Sequence, residues 1–370
     1  MSASSPMTYS RREFMAAAAA AAPALGPILL GTQDKSGTRP PVLGAGEHRY
    51  EAIHDWGELP STIKWGNTHN VAEDAQGNIY VHHTVHATSE SSDSVVVFDR
   101  NGKFVRSFGK QYRNVAHGMW LRKEGNTEFL YFTVNAANAR MQPQPLLSSS
   151  VVKTTLGGEI VYTIQGPPDI AEYKVPEGGT QATLPSYNPT NIAIAANGDL
   201  YVADGYGSYY INRYDSTGKY RSTFGGRGSD PGQLKEPHGI WMDQRASSPI
   251  LMVTDRRNNR LQRFTPDGTF IDFVTGLRLP SHFHEHNGTV VVADLQTRVT
   301  LLDRNNNVIM HLGDPTPTSP PNPNRGTPNR SAFVPGQFVA PHGVLFDRDG
   351  NIFVAEWVEI GRLTKLRKVA

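Results

Sequence analysis

The chain has 370 residues, of which 38% are hydrophobic, 35 are glycine and 26 are proline. Its formal net charge is only +2, and no basic block or stripe occurs, which argues against a nucleic-acid partner. It contains no cysteine, which excludes disulfide bonds and thiolate metal ligands. Frequent glycine and proline between short apolar runs are typical of many short strands joined by tight turns.

The N-terminal segment has the features of an export signal. The pair Arg11-Arg12 precedes an alanine-rich run from Ala16 to Ala22. This pattern predicts a twin-arginine signal peptide over residues 1–31, followed by a polar linker over residues 32–48. The alternative, a buried or membrane-anchored helix, is disfavoured because the run is short and is followed by Pro23. We therefore expect the twin-arginine export machinery to deliver the protein to the periplasm or beyond, without stable membrane insertion after signal removal.

From residue 49 onward, a unit recurs at intervals of roughly 45 to 75 residues, which indicates a repeat array. Its clearest copy has the inner strand Asn191-Ile192-Ala193-Ile194 and turns at Asn197-Gly198 and Thr217-Gly218. Period-two alternation with turn residues at fixed offsets predicts four-stranded antiparallel blades. Six such units predict an all-β fold, a six-bladed β-propeller over residues 49–370.

The two ends of the chain predict how the ring closes. The sixth unit stops after its third strand, Arg362 to Leu366, while the segment Tyr50 to Gly57 has the outer-strand pattern and no unit before it. Pairing these segments completes the last blade and leaves no exposed sheet edge. Polar insertions interrupt the units at residues 135–150, 165–186 and 314–336, and each is a candidate wall of a pocket.

Three copies of a short histidine motif mark the candidate site. Ala116-His117-Gly118, Pro237-His238-Gly239 and Pro341-His342-Gly343 begin the inner strands of the second, fourth and sixth units. Alternate units of a six-unit ring lie about a third of a turn apart, so these histidines are predicted to meet on the axis. Three neutral imidazoles can bind zinc or another divalent transition metal and leave a coordination position open. The alternative is that each histidine only forms hydrogen bonds across the channel.

Other histidines leave alternatives open. His69 falls at the equivalent position of the first unit and is either a fourth ligand or a substrate contact, whereas the third unit has Thr190 there. Two further clusters are ambiguous because alternate residues of a strand face opposite sides. These clusters are His282, His284 and His286 in the fifth unit and His82, His83 and His86 in the first.

Two residues beyond strand ends are candidates for catalysis. Tyr206 follows the second strand of the third unit and could act as a general base if the metal and a cation lower its pKa. Arg256 holds the matching place in the fourth unit and could bind a carboxylate. The alternatives are an aromatic rim residue and a surface ion pair. We interpret the carboxylates that recur at one repeat position as hydrogen-bond acceptors that join the blades; they are Asp204, Asp255, Asp294 and Glu356.

Across residues 50–368 the repeats resemble NHL-repeat propellers, and the site motifs resemble those of the peptidyl-α-hydroxyglycine α-amidating lyases. The motifs that carry this resemblance are Ala116-His117-Gly118, Glu236-Pro237-His238, Ala340-Pro341-His342, Asp204-Gly205-Tyr206 and Asp255-Arg256. The resemblance implies that the three histidines bind zinc, that Tyr206 is the catalytic base and that Arg256 lies in the active site. It implies a lyase that cleaves a carbinolamide to a peptide amide and glyoxylate, with a peptide or small-molecule substrate.

The sequence departs from this family at three points. Thr84 stands where the family has a second arginine, Ala340 replaces a methionine, and Gly343 replaces an aspartate. The enzyme could therefore be a lyase or hydrolase for another small polar or carboxylated compound. An alternative from a different class is a non-catalytic propeller that binds a peptide, glycan or protein partner. A sugar-lactone hydrolase is a weaker third alternative, because such propellers hold calcium with carboxylates and asparagine. A structural calcium ion is also considered as a second cofactor.

Overall fold

The computed structural model describes residues 39–136, 148–174, 186–313, 323–326 and 329–369. These residues form six antiparallel sheets, five with four strands and one with five. The predicted signal peptide over residues 1–31 lies outside the described ranges. No helix among the described residues is long and apolar enough to cross a membrane.

The strands follow one another around the ring, blade by blade. Before the first blade come β1 (Val42–Ala45) and β2 (His48–Ile53). Blade 1 contains β3 (Thr68–Glu73), β4 (Ile79–His83), β5 (Val95–Phe98) and β6 (Phe104–Phe108). Blade 2 contains β7 (Ala116–Glu124), β8 (Thr127–Val134), β9 (Ser150–Thr155) and β10 (Ile160–Ile164). Blade 3 contains β11 (Asn191–Ile194), β12 (Leu200–Ala203), β13 (Tyr210–Tyr214) and β14 (Tyr220–Gly225).

The second half of the ring repeats the pattern. Blade 4 contains β15 (Pro237–Asp243), β16 (Ile250–Asp255), β17 (Arg260–Phe264) and β18 (Phe270–Val274). Blade 5 contains β19 (Pro280–His286), β20 (Thr289–Asp294), β21 (Arg298–Leu302) and β22 (Val308–Leu312). Blade 6 contains β23 (Pro341–Phe346), β24 (Ile352–Glu356) and β25 (Arg362–Lys368). The predicted six-bladed β-propeller is thereby confirmed.

The N-terminal segment closes the ring, as predicted. Strand β2 pairs antiparallel with β25, from Tyr50 opposite Lys368 to Ile53 opposite Lys365. The predicted linker over residues 32–48 needs a correction, because β1 lies inside it and adds a fifth strand to blade 6 through a hairpin with β2. The sequence pattern missed β1 because it is short and contains a glycine, although its Leu43 is buried in the core.

The core is divided into layers between neighbouring blades. In β16, Leu251 and Val253 pack with residues of blade 3, whereas Met252 between them packs with residues of blade 5. Successive side chains of a strand point to opposite faces, so a strand with a blade on each side is apolar at every position. This arrangement fixes the inner strands around the axis. It thereby positions the residues at the start of each inner strand, where the candidate histidines lie.

The predicted insertions are described only in part. Residues 137–147, 175–185, 314–322 and 327–328 lie outside the described ranges. Short 3-10 turns are present at Ala171–Tyr173, Pro323–Gly326 and Arg330–Ala332 within or beside them. Tyr173 ties the second insertion to blade 3, since its hydroxyl donates to Asp204 at 2.8 Å.

Candidate metal centre and active site

A β-bulge at the start of the inner strands places the candidate histidines. The strand registers shift between Ala116 and Met119, between Pro237 and Ile240, and between Pro341 and Gly343. A bulge inserts an unpaired residue and re-aims its side chain, and here that residue is a histidine. The same shift around His69 in β3 gives blade 1 an equivalent histidine.

Each histidine of the predicted trio is held by the next blade. Nδ1 of His117 donates to the carbonyl of Thr190 at 2.6 Å, and Nδ1 of His238 donates to the carbonyl of Ser281 at 2.7 Å. Nδ1 of His342 donates likewise to the carbonyl of His69 at 2.9 Å. A carbonyl can only accept, so the proton of each ring is on Nδ1 and Nε2 keeps a free lone pair. This is the arrangement in which imidazole binds a metal.

The glycine after each histidine makes this contact possible. A Cβ on Gly118 would lie 2.6 Å from the Thr190 carbonyl oxygen, and one on Gly239 would lie 2.7 Å from that of Ser281. A Cβ on Gly343 would lie 2.4 Å from the His69 carbonyl oxygen. The glycine at 343, where the resembling family has aspartate, is therefore required by the packing of blade 6 on blade 1.

The structure brings four histidine rings together on the axis. The ring centres of the predicted trio lie 4.6 to 5.1 Å apart. The ring of His69 lies 4.8 Å from that of His342 and 5.2 Å from that of His117. Among the described residues, the ligand nitrogens that lie within 4.8 Å of one another belong to His69, His117 and His342, so that His238 of the predicted trio falls outside this group. The cluster fits a divalent metal, because all four rings are buried and both nitrogens of His69 lack a partner among the described residues.

Burial keeps these imidazoles neutral. It lowers the pKa of His238 to about 4 and that of His69 to about 3, with neighbouring histidines adding to the effect at His69. The pKa values of His117 and His342 are also well below the usual range for the same reason. A metal therefore meets neutral ligands at neutral pH and displaces no proton from them.

Tyr206 lies against the histidine cluster. Its hydroxyl is 3.2 Å from Nε2 of His117 and 3.2 Å from Nε2 of His238. Nη2 of Arg256 donates to the same hydroxyl at 3.2 Å. Burial raises the pKa of Tyr206 above its usual value, and the positive charges of Arg257 and Arg325 offset only part of this rise. The two predicted catalytic residues thus contact each other, and Tyr206 also contacts two of the histidines.

Glu236 is a residue of the site for which the sequence predicted no role, since it appeared there only within the motif Glu236-Pro237-His238. Its carboxylate contacts the guanidinium groups of both Arg256 and Arg257, and its backbone has a φ of 63°. A non-glycine residue in this region is costly, so the strain at Glu236 is retained by the contacts that it makes. The carboxylate offsets part of the positive charge beside Tyr206.

A cavity of about 980 Å³ opens above the cluster. His69, His117, Tyr206 and Arg256 lie at its wall. Thr84 lies there too, so the position at which the resembling family has a second arginine carries no positive charge. Arg325 enters the same cavity from the third insertion. Its guanidinium lies over the ring of Trp357, and its Nε donates to the Trp357 carbonyl at 3.2 Å.

The other candidate histidines lie outside the cluster. The bulged residue of β19 is Ser281, so His282 is one position further along and lines the narrow channel below the rings. Nδ1 of His83 accepts from the amides of Gly66 and Val85, and His82 packs 5.0 Å from the ring of Phe132. Nδ1 of His86 contacts the Thr88 hydroxyl, Nδ1 of His284 accepts from the Phe346 amide, and Nε2 of His286 contacts Asn287.

The recurring carboxylates hold the connections between blades, as predicted. They accept backbone N–H groups just ahead of the inner strand of their own blade, where the chain arrives from the previous blade. The four pairs are Asp204 with Asn188, Asp255 with Lys235, Asp294 with Arg278, and Glu356 with Val339. The calcium ion stays a prediction, and the described residues lining the channel below the rings include no carboxylate.

Ala340 is a core residue of this region. It is 3% exposed and packs with Val339 and Val358. Its side chain therefore contributes to the support of the inner strand β23 rather than to the ligand set.

No family model matches the chain. A probable peptidyl-α-hydroxyglycine α-amidating lyase of Caenorhabditis elegans is 23% identical over 177 residues, which is 47% of this chain and 44% of the relative. The peptidylglycine α-amidating monooxygenase of Rattus norvegicus is 25% identical over 181 residues, or 47% of this chain and 16% of the relative. The chain thus matches less than half the length of these curated relatives. These weak homologues confirm the resemblance drawn from the motifs.

Solved propeller enzymes share the fold. Virginiamycin B lyase from Staphylococcus aureus superposes with a TM-score of 0.53 at 15% identity, covering 86% of this chain and 100% of the other. A gluconolactonase from Xanthomonas campestris gives 0.53 at 13% identity, covering 93% and 95%. At this identity the likeness shows the six-bladed propeller.

Proposed function

We propose that the protein is a metal-dependent lyase that cleaves a carbinolamide, a compound with a hydroxyl and an amide nitrogen on one carbon. The observation that carries this proposal is the position of the Tyr206 hydroxyl, 3.2 Å from Nε2 of His117, of His238 and from Nη2 of Arg256. A proton-accepting oxygen, two histidines of the cluster and a cation thus line one cavity.

His117, His238 and His342 would hold the ion, with His69 in the same cluster. When bound, a divalent ion supplies Lewis-acid polarisation of a substrate oxygen. The residues of the chain provide the rest. Carbonyls of the neighbouring blades fix the imidazoles, and Arg256 donates to Tyr206, which favours the ionised phenol.

The bonds balance without an external reactant. Once Tyr206 is ionised, which Arg256 and a bound ion would favour, its oxygen takes the proton of the substrate hydroxyl, the C–O bond becomes a carbonyl, and the C–N bond breaks. The proton then passes to the leaving amide nitrogen, which restores the ionised tyrosine. Products are an amide and an aldehyde, and for an N-acyl-α-hydroxyglycine the aldehyde is glyoxylate. Arg256 and Arg325 at the cavity support a substrate that carries a carboxylate.

The place of action follows from the proposed signal. The pair Arg11-Arg12 and the alanine-rich run support export by the twin-arginine route to the periplasm or beyond. This route carries folded proteins, which is compatible with metal loading before export. Export is tested by locating the full-length protein and its Arg11→Lys, Arg12→Lys variant in cell fractions, and equal periplasmic amounts of both would contradict the route.

The activity is tested by glyoxylate release from an N-acyl-α-hydroxyglycine. We expect activity in the metal-loaded protein, loss on chelation and recovery on reloading. Tyr206→Phe should lower kcat by about 100-fold or more with metal content unchanged, because it removes the proton acceptor alone. Tyr220→Phe, on the outer strand of blade 3, is the matched control and should retain full activity.

Two outcomes would contradict the proposal. Equal kcat in the Tyr206→Phe variant would remove the tyrosine from the chemistry. Protein that binds no metal even after reloading would remove the lyase and leave the non-catalytic binding propeller. A lactonase is disfavoured because the axial side chains are imidazoles rather than carboxylates.

A further inference from the structure

His69 occupies the position in blade 1 that the predicted ligands occupy in blades 2, 4 and 6. It is the bulged residue between Thr68 and Asn70 at the start of β3. Its ring lies 4.8 Å from that of His342, which is closer than the 5.1 Å between His117 and His342. Blades 3 and 5 carry Thr190 and Ser281 there, so the four histidines are unevenly spread around the axis.

The backbone of His69 is held firmly in place. Its carbonyl accepts Nδ1 of His342 at 2.9 Å, and Gly343 packs directly on that oxygen. The preceding Thr68 donates its hydroxyl to the carbonyl of Glu356 at 2.8 Å, which ties the strand to blade 6. His69, whose carbonyl supports the ligand His342, therefore also contributes its own imidazole to the histidine cluster.

The imidazole of His69 has no other function that the described structure shows. Both of its nitrogens are buried and have no hydrogen-bond partner among the described residues. Buried polar atoms are normally satisfied, so an unsatisfied pair beside ligand nitrogens indicates a missing partner. His82 and His282 are also unsatisfied, but neither belongs to the group whose ligand nitrogens lie within 4.8 Å of one another. The closeness of its nitrogens to those of His117 and His342 therefore distinguishes His69 from a histidine that is only buried.

We propose that His69 is a fourth ligand, so that the centre has four imidazoles and takes a divalent ion with five or six coordination positions. This inference rests on the metal site of the proposed function. Four ligands would close a tetrahedral zinc site and leave no position for substrate. An open position beside Tyr206 requires a higher coordination number, which suits iron, cobalt or nickel with nitrogen ligands.

X-ray absorption spectroscopy of the purified full-length protein loaded with Co²⁺ tests this directly. The number of imidazoles around the ion is expected to be four, in a weakly coloured five- or six-coordinate centre. His69→Leu should give three imidazoles and lower Co²⁺ affinity by about tenfold or more. His82→Leu, a buried histidine in the same blade, is the matched control and should keep four imidazoles and the affinity of the unaltered protein.

The outcomes separate this inference from the function on which it rests. Three imidazoles in the unaltered protein, with the same number in His69→Leu, would overturn the role of His69 and leave the metal-dependent lyase intact. Absence of bound cobalt from the unaltered protein would overturn the metal site and the fourth ligand together. Where the His69→Leu variant does not fold, a count of three in the unaltered protein still overturns the centre of four imidazoles.

Discussion

At the scale of single residues, the guanidinium groups around the cavity differ in whether they form an ion pair with a carboxylate. Arg256 and Arg257 both contact the carboxylate of Glu236. No described carboxylate lies within ion-pair distance of Arg325, whose guanidinium rests on Trp357. A substrate carboxylate is therefore best recognised by Arg325, because the nearby charge of Glu359 acts on its guanidinium without a described ion pair, whereas Arg256 is paired with Glu236.

Replacing Arg325 tests this assignment. Arg325→Gln is expected to raise KM for an N-acyl-α-hydroxyglycine by about 10- to 100-fold with little change in kcat, because a hydrogen bond to a charged group is lost. The primary-amide analogue, which lacks the carboxylate charge, should show no such change. Arg100→Gln, in an exposed turn of blade 1, serves as the control. Equal KM values for the acid in both variants would assign carboxylate binding elsewhere.

At the scale of the strand, the bulges and the glycines that follow them act together to orient the histidines. The bulge turns the histidine to the axis, and the glycine lets the carbonyl of the next blade reach Nδ1. Gly343→Ala would place a Cβ 2.4 Å from the His69 carbonyl oxygen. We expect a loss of about 1–3 kcal/mol in the free energy of unfolding, because a tightly packed backbone must shift.

The same variant should also bind metal less tightly, since it moves the acceptor that orients His342. Thermal unfolding and metal titration measure the two effects. Gly326→Ala is the control, because the nearest atom to its Cβ would be 4.0 Å away and its backbone lies outside the left-handed region. Unchanged metal affinity in Gly343→Ala would show that the carbonyl does not orient the ligand.

The strands themselves were predictable from sequence, but the bulges were not. Repeating glycine turns fixed the inner strands, and the histidine motifs at their starts predicted the axial trio. A bulge changes the facing of a strand by one residue without a sequence signature of its own. For this reason blade 5 was ambiguous, and only the register of β19 shows that Ser281, rather than His282, is equivalent to the other ligands. The contact of Glu236 with two arginines arises only when the chain folds and brings these residues together, so the sequence could not predict it either.

At the scale of the whole molecule, the closure of the ring was predictable because a missing fourth strand and an orphan N-terminal strand complement each other. The apolar layers between blades follow from the same period-two pattern. What the pattern cannot supply is how many histidines the closed ring buries. Among the residues that the structure describes, burial lowers the pKa of ten histidines: His54, His69, His82, His83, His117, His238, His282, His284, His311 and His342.

This burial makes stability dependent on pH. Each ring has a folded-state pKa below the unfolded value of 6.5, such as about 4 for His54. The unfolded chain therefore binds more protons below pH 6.5, so stability is full above that pH and falls as the pH drops towards the folded-state values. Thermal unfolding of the metal-free protein from pH about 7 to about 4 should show a steep, multi-proton loss of stability.

His82→Leu removes one member of this set that is not among the proposed ligands. The variant removes a buried imidazole whose nitrogens have no described partner and replaces it with an apolar side chain of similar size. Its unfolding free energy should fall less steeply below pH 6.5 than that of the unaltered protein, since one fewer proton is taken up on unfolding. Identical slopes in the two proteins would mean that His82 does not titrate on unfolding and that acid sensitivity arises from other groups.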